Sequence, residues 1–241
     1  MVIEDGGFHP PYVAGGIMDI HKPKAAHSWR EFLIELGTII CGILIALGLE
    51  QVAEAVHRAD DIREARQALH DEIQTNVETA IYARETFECL RPQIEAYRDW
   101  AEGGAKPPAI RAQLPRYRLN TWDAVKASAL PHMPLKERLA LGSIYGGVKD
   151  AETMVDEQRA SMLVLFGAYE RKALTAEDRA RVLDAVGVER RIGHFQNGQG
   201  KEIIADAAKM GILPRPETKE DRDMMDWVCG RRNDDPSPAG D

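Results

Sequence analysis

From Phe32 to Leu49 the chain reads FLIELGTIICGILIALGL, and Glu35 is the only charge in the run. The residues are apolar on every face of a helix, whereas a surface helix keeps a polar stripe. A membrane span needs about 17–25 residues, while about 10–14 suits a buried core helix or the apolar part of a signal peptide. The uncharged part, Leu36–Leu49, falls in the shorter class and the whole run in the longer, so length leaves both readings open. The flanks favour a span. Ser28-Trp29-Arg30-Glu31 fits a capping box, with Ser28 as N-cap and Glu31 reaching back. Trp29 and Arg30 stand where an interfacial aromatic and a snorkelling cation belong. The reading is a transmembrane helix with its flanks over residues 28–56, preceded by a disordered tail over 1–27.

A cleaved signal peptide is the competitor, because Ala53-Glu54-Ala55 matches the A-x-A pattern. With no Pro or Gly after Gly48, the helix continues through that motif, which favours an uncleaved anchor. Lys22, Lys24 and Arg30 lie nearer the apolar run than Arg58, Arg63 and Arg66 do. The positive-inside rule then tilts the N-terminus inward and puts the rest of the chain on the periplasmic side of an inner membrane.

Beyond the run, positions 62, 66, 69, 73, 76, 80, 83, 87, 90, 94, 97 and 101 follow alternating 4–3 steps, and all but Arg66 and Asn76 are apolar or small. Such a seam marks a helix buried along one face over several heptads. Asn76 either fixes register between helices or sits at a wet edge. Pro92 is expected to kink or break the helix near 88–92. Glu102–Asn120 reads as a loop from its Gly and Pro pairs. Thr121 is placed to cap a short helix carrying Trp122, Val125 and Leu130. Pro134 suits the first turn of a third helix, with Ile144, Val148, Ala151, Val155, Met162, Phe166 and Tyr169 on its apolar face. Thr175-Ala176-Glu177-Asp178 opens a fourth helix whose apolar set is Leu183, Val186, Ile192, Phe195, Ile204 and Ala208. Lys209, Gly211 and Pro214 stop it. The predicted fold is all-α: a transmembrane helix running into a long helix, packed with a short helix and an antiparallel helical pair as a bundle over 57–212. Residues 213–241 are expected to be mostly disordered, apart from Met224–Cys229.

The chain has 241 residues, with 31 Lys+Arg against 39 Asp+Glu and a net charge of −8. That balance opposes a nucleic-acid binder, which needs a basic face. Three cysteines exclude a four-Cys zinc site. No catalytic, cofactor or metal residues are assigned. Gly198-Gln199-Gly200-Lys201 has Phe195 and Glu202 where a phosphate loop needs Gly and Ser or Thr. His57, His70, His132 and His194 are scattered singly. Trp122, Met133 and Tyr145 read as core rather than as a pocket. Two features remain as candidates. Thr38, Gly42 and Ala46 recur every fourth residue, a face on which two spans can approach closely. Cys89 and Cys229 would share an oxidising compartment and could pair there.

The stretch PKAAHSWREFLIELGTIICGILIALGLEQ resembles the opening of a family of uncharacterised bacterial single-pass membrane proteins. These have a short basic N-terminus, one span and a helical remainder. TWDAVKASALPHM and the helix carrying Ile144-Tyr145 are similar to their middle segment. The resemblance implies a start near MDIHKPK, which makes Met18 rather than Met1 the candidate first residue. It implies topology and fold, and no activity or catalytic residue. The expected function is a non-enzymatic, membrane-anchored helical module that binds an unidentified protein partner or scaffolds an envelope assembly. Its expected partners are the lipid bilayer, that protein and a further copy of itself, with no nucleic acid and no cofactor. The alternative is an extracytoplasmic sensor of a small ligand.

Overall fold

The structure, a computed structural model, describes residues 28–233. Expectations about residues 1–27, the Met18 start and residues 234–241 lie outside the described residues. The chain divides into two compact units, 1–54 and 55–241. Its helices are α1 (Trp29–Ala101), α2 (Asn120–Val125), α3 (Leu135–Tyr169), α4 (Ala176–Lys209) and α5 (Lys219–Val228), with a 3-10 turn at Leu130–His132. The fold is all-α.

In the first unit the described residues are the opening of α1. Ser28 Oγ accepts from the Glu31 N–H at 3.3 Å, so the predicted cap forms. The Trp29 and Phe32 rings stack with centroids 5.5 Å apart. No residue of the most apolar window is buried.

In the second unit α1, α3 and α4 form the bundle. Arg66 Nε donates to Glu137 at 2.7 Å, and Tyr145 OH donates to Glu72 at 2.9 Å, so α3 runs parallel to α1. Arg84 Nε donates to Asn197 at 2.9 Å, and Arg179 donates to the Ala101 carbonyl at 2.7 Å, so α4 runs back. α3 and α4 are the predicted antiparallel pair, tied by Ser143 to Asp206 at one end and Gln158 to Glu189 further along. The Phe87 ring lies on bare α4 backbone, because a Cβ on Gly193 would sit 1.7 Å from it. One apolar cluster joins Leu69, Ile73 and Val77 to Ile144, Val148 and Ile203. A second joins Leu90, Ile94 and Tyr97 to Met162, Leu165 and Val182.

The seam of α1 is real but wider than predicted. Leu69, Ile73, Ala80, Ala83, Leu90, Ile94 and Tyr97 are buried, while Arg66 is exposed. Ala65, Glu72, Thr86 and Trp100 are buried as well. They belong to a third row, 65-72-79-86-93-100, at heptad spacing. Asn76 is neither an interhelical register pin nor a wet edge: its amide donates to the Arg118 carbonyl at 2.8 Å and accepts from the Arg118 N–H at 2.7 Å. Its partner is the connection 102–119, which runs back along α1.

Pro92 does not break α1. Pro92 and Glu88 are both exposed, so the carbonyl that loses its helical donor faces water, while Leu90 and Ile94 hold the helix in the core. Thr121 does not cap α2. That helix has no side-chain cap of its own, and the Glu72 carboxylate accepts from the Thr121 and Trp122 N–H groups at 2.8 and 3.1 Å. The fourth helix begins as expected, with both bonds of the Thr175–Asp178 capping box present. Its buried face differs, however: Leu183, Phe195 and Ala208 are exposed, and Val182, Ala185, Glu189 and Gln196 are buried instead. On α3, Phe166 is likewise exposed, and Leu165 takes the core position.

The tail corrects a further expectation. Gly211, at φ 79°, reverses the chain, and the Ile212 N–H bonds back to the Ala207 carbonyl at 3.0 Å. Residues 213–233 then run along α1 in its own direction, from Gln74 donating to the Leu213 carbonyl to Gln93 donating to that of Val228. The reason is local as well as tertiary. Thr218 and Asp221 form a second capping box that starts α5, and Val228 is buried with Met224 and Trp227 beside it.

Candidate functional site

The structure joins Cys89, on α1, to Cys229, at the end of α5, with Cα atoms 5.3 Å apart across 140 residues of sequence. The bond holds α5 where Thr86 and Gln93, from the third row of α1, reach it: Thr86 Oγ1 lies 3.8 Å from Met225 Sδ. Beyond α5, Arg111 of the connection donates to the Arg232 carbonyl at 2.5 Å and lies 5.9 Å from the centre of the Trp227 ring. The tail is thereby clasped between α1 and the returning connection.

Between α1 and the tail a cleft of about 610 Å³ opens, with Ile81, Tyr82, Pro214, Pro216 and Met225 as its apolar walls. Its polar groups are Glu78, Glu85, Arg215, Glu217 and Asp221. Arg215 grips Glu78 through its guanidinium and its own N–H, with Nε at 2.8 Å, and holds that carboxyl below the ordinary range. The Thr218 cap does the same for Asp221. Burial pushes the Tyr82 phenol up. The cleft was not legible in sequence, because half its lining comes from a segment that composition assigns to disorder.

Two buried polar clusters occupy the bundle. In the first, Glu72 ties α1 to the start of α2 and to the Tyr145 hydroxyl; burial, then Glu72, raise that phenol. Trp122 stacks on Tyr145 at 4.5 Å and Met133 is buried, so these three are core, as read. In the second, Glu189 is 1% exposed, shares a hydrogen bond with the Ser161 hydroxyl and accepts from Gln158 Nε2 at 3.1 Å. Gln158 in turn accepts from Gln196 at 3.2 Å. Burial pushes the Glu189 carboxyl up. The Ser161 hydroxyl has one proton and two acceptors, Glu189 and the Gln158 carbonyl. A protonated Glu189 donating to Ser161 Oγ satisfies all three groups. Among the described residues, no group of three His, Cys, Asp or Glu is placed to hold a metal ion.

Thr38, Gly42 and Ala46 are exposed, and a Cβ on Gly42 would meet nothing within 4 Å. Thr38 Oγ1 donates to the Ile34 carbonyl at 2.9 Å, so its polar group is satisfied within the helix. The helix holding them has an 18-residue window of mean hydropathy 2.4 and is long and apolar enough to cross a membrane. No family model, curated protein or solved structure matches this chain.

Proposed function

We propose that the chain is a single-pass membrane protein whose helical domain, residues 57–233, stands on the non-cytoplasmic side and binds a partner protein or supports an envelope assembly. One observation carries the reading. The most apolar window of α1 is wholly unburied. A core helix would be covered by other elements, and leaving this many large aliphatic side chains in water is costly at about 25 cal/mol per Å². A bilayer is the solvent that accepts them. The Cys89–Cys229 bond supports the side, since disulfides persist outside the reducing cytosol. The role of Thr38, Gly42 and Ala46 in span pairing belongs to the same proposal.

Carbonate-washed membranes test the anchor: the intact protein stays with the pellet, and recovery in the supernatant overturns it. A mature N-terminus at Val56 would establish cleavage instead. A phosphatase reporter fused after Asn233 is active if the domain is exported, and silent, with a cytoplasmic fluorescent reporter bright, if it is not. The second reading, a small-ligand sensor, is favoured by the cleft between α1 and the tail, where carboxylates and a phenol converge beside apolar walls.

A further inference from the structure

We propose that the outer face of α3 is a self-association surface on which a second copy of the chain packs antiparallel. Positions 135, 139, 142, 146, 149, 153, 156, 160, 163 and 167 follow alternating 4–3 steps, and every one is exposed. Leu135, Leu139 and Leu163 are 61%, 66% and 64% exposed, far more than apolar side chains of a finished bundle require. Glycine destabilises a helix interior relative to alanine, yet this face carries three glycines. A Cβ added to Gly142, Gly146 or Gly167 would meet nothing within 4 Å, so no packing among the described residues accounts for them. A second backbone coming close does. The face is about 50 Å long at 1.5 Å per residue, enough for a continuous helix pairing.

The occupant follows from the two charges on the face. Lys149 and Asp156 stand on either side of Thr153. A two-fold axis near Thr153, perpendicular to the helix, brings Lys149 of each copy to Asp156 of the other. Asp156 is already paired with Arg159, but that pair is exposed on both sides and is free to exchange. The same axis brings Leu139 to the turn of Leu163 and Gly167, and Gly142 and Gly146 to the turn of Ala160 and Leu163. Large side chains then face small ones. A parallel, in-register pair would set Lys149 against Lys149 and Asp156 against Asp156, which is repulsive. The surface is therefore complementary to itself in one direction only, the property of an isologous interface. Because α3 runs parallel to α1, this association sets the α1 segments of the two bundles in opposite directions, so it is an alternative to span pairing through Thr38, Gly42 and Ala46 and not its companion.

The test uses the full chain in detergent, with Cys41→Ser removing the free thiol and the Cys89–Cys229 bond intact. Lys149→Asp and Asp156→Lys each raise the dimer dissociation constant at least about tenfold, and combining the two reversals restores it to within about threefold. Gly142→Ala with Gly146→Ala raises the thermal midpoint of the monomer while weakening the dimer. Thr153→Cys is cross-linked by a short bis-maleimide. Leu139→Cys is not, because the two copies of that position would lie about 40 Å apart along an antiparallel pair. A wild-type chain that stays monomeric overturns the proposal. So does a dimer indifferent to both reversals, as pairing through the span alone would be, or equal cross-linking at Leu139→Cys and Thr153→Cys.

Discussion

Cys229→Ser opens a ring that contains most of the bundle. The bond spans 140 residues, from α1 through both long helices to the end of α5. In the chain-entropy account, closing such a loop removes about 17 cal/mol/K from the unfolded ensemble, or about 5 kcal/mol at 25 °C. Measured losses for native disulfides run lower, about 2–5 kcal/mol, because unfolded chains keep some structure. In urea, with a slope of about 2 kcal/mol/M, the midpoint of residues 57–233 falls by about 1–2.5 M. The folded spectrum changes little, since Trp227, Val228 and Met224 still pack against the second cluster. A reducing agent acts on the wild type and leaves the variant unmoved, because residues 57–233 contain no other cysteine. Coincident wild-type and variant midpoints under oxidising conditions would show that the tail does not close the domain. A reductant effect on the variant would sink the assignment differently, by placing the sensitive step elsewhere.

Glu189→Gln keeps the partners of Ser161 and Gln158 and removes a buried acid, so it stabilises the domain near neutral pH. Burial raises this carboxyl in the folded state, so its contribution is full below the ordinary value of 4.5 and declines as pH rises through the raised one. Subtracting the variant's stability curve from the wild type's isolates that decline, and a flat difference would refute it. Leu69→Ala costs about 2–5 kcal/mol, while Leu183→Ala, on the exposed side of α4, stays within about 0.5; urea titrations giving equal losses would mean the faces are misassigned. Glu72→Gln places an amide NH₂ among three donors, from Thr121, Trp122 and Tyr145, and costs about 1–3 kcal/mol in the same assay.

The elements were legible because each carries its own punctuation. Thr175 with Asp178, the Gly211 stop and the 4–3 seam of α1 are local signals, and each fixes a boundary or a face without knowledge of the rest. The faces of α3 and α4 were harder. An apolar residue on a helix is read as inward by default, yet Leu183 and Phe195 point outward, while Val182, Glu189 and Gln196 sit inside. Two neighbouring helical positions differ by about 100° around the axis, so one step of error between Leu183 and Val182 moves a residue from water to core. The buried polar residues caused that error, because periodicity weighs Glu189 and Gln196 against burial although their hydrogen bonds to Ser161 and Gln158 make burial affordable.

The clasped tail and the returning connection share a signal that hydrophobic periodicity passes over. The row 65-72-79-86-93-100 keeps strict heptad spacing, but its middle members are Glu72, Thr79, Thr86 and Gln93. A helix packed on helices buries apolar rows, since the neighbour's backbone polar groups are already satisfied. Irregular backbone brings N–H and C=O groups that need partners, so a helix face that covers it must offer donors and acceptors. This row does so: Glu72 takes the N–H groups opening α2, and Gln93 donates to the carbonyl of Val228. Asn76, on the neighbouring row, pairs twice with Arg118. A polar row in heptad register beside an apolar seam therefore marks where the unpaired backbone groups of helix ends lie along the bundle. It also gives residues 102–119 their place, though that segment has no periodicity of its own, and it receives the end of α5.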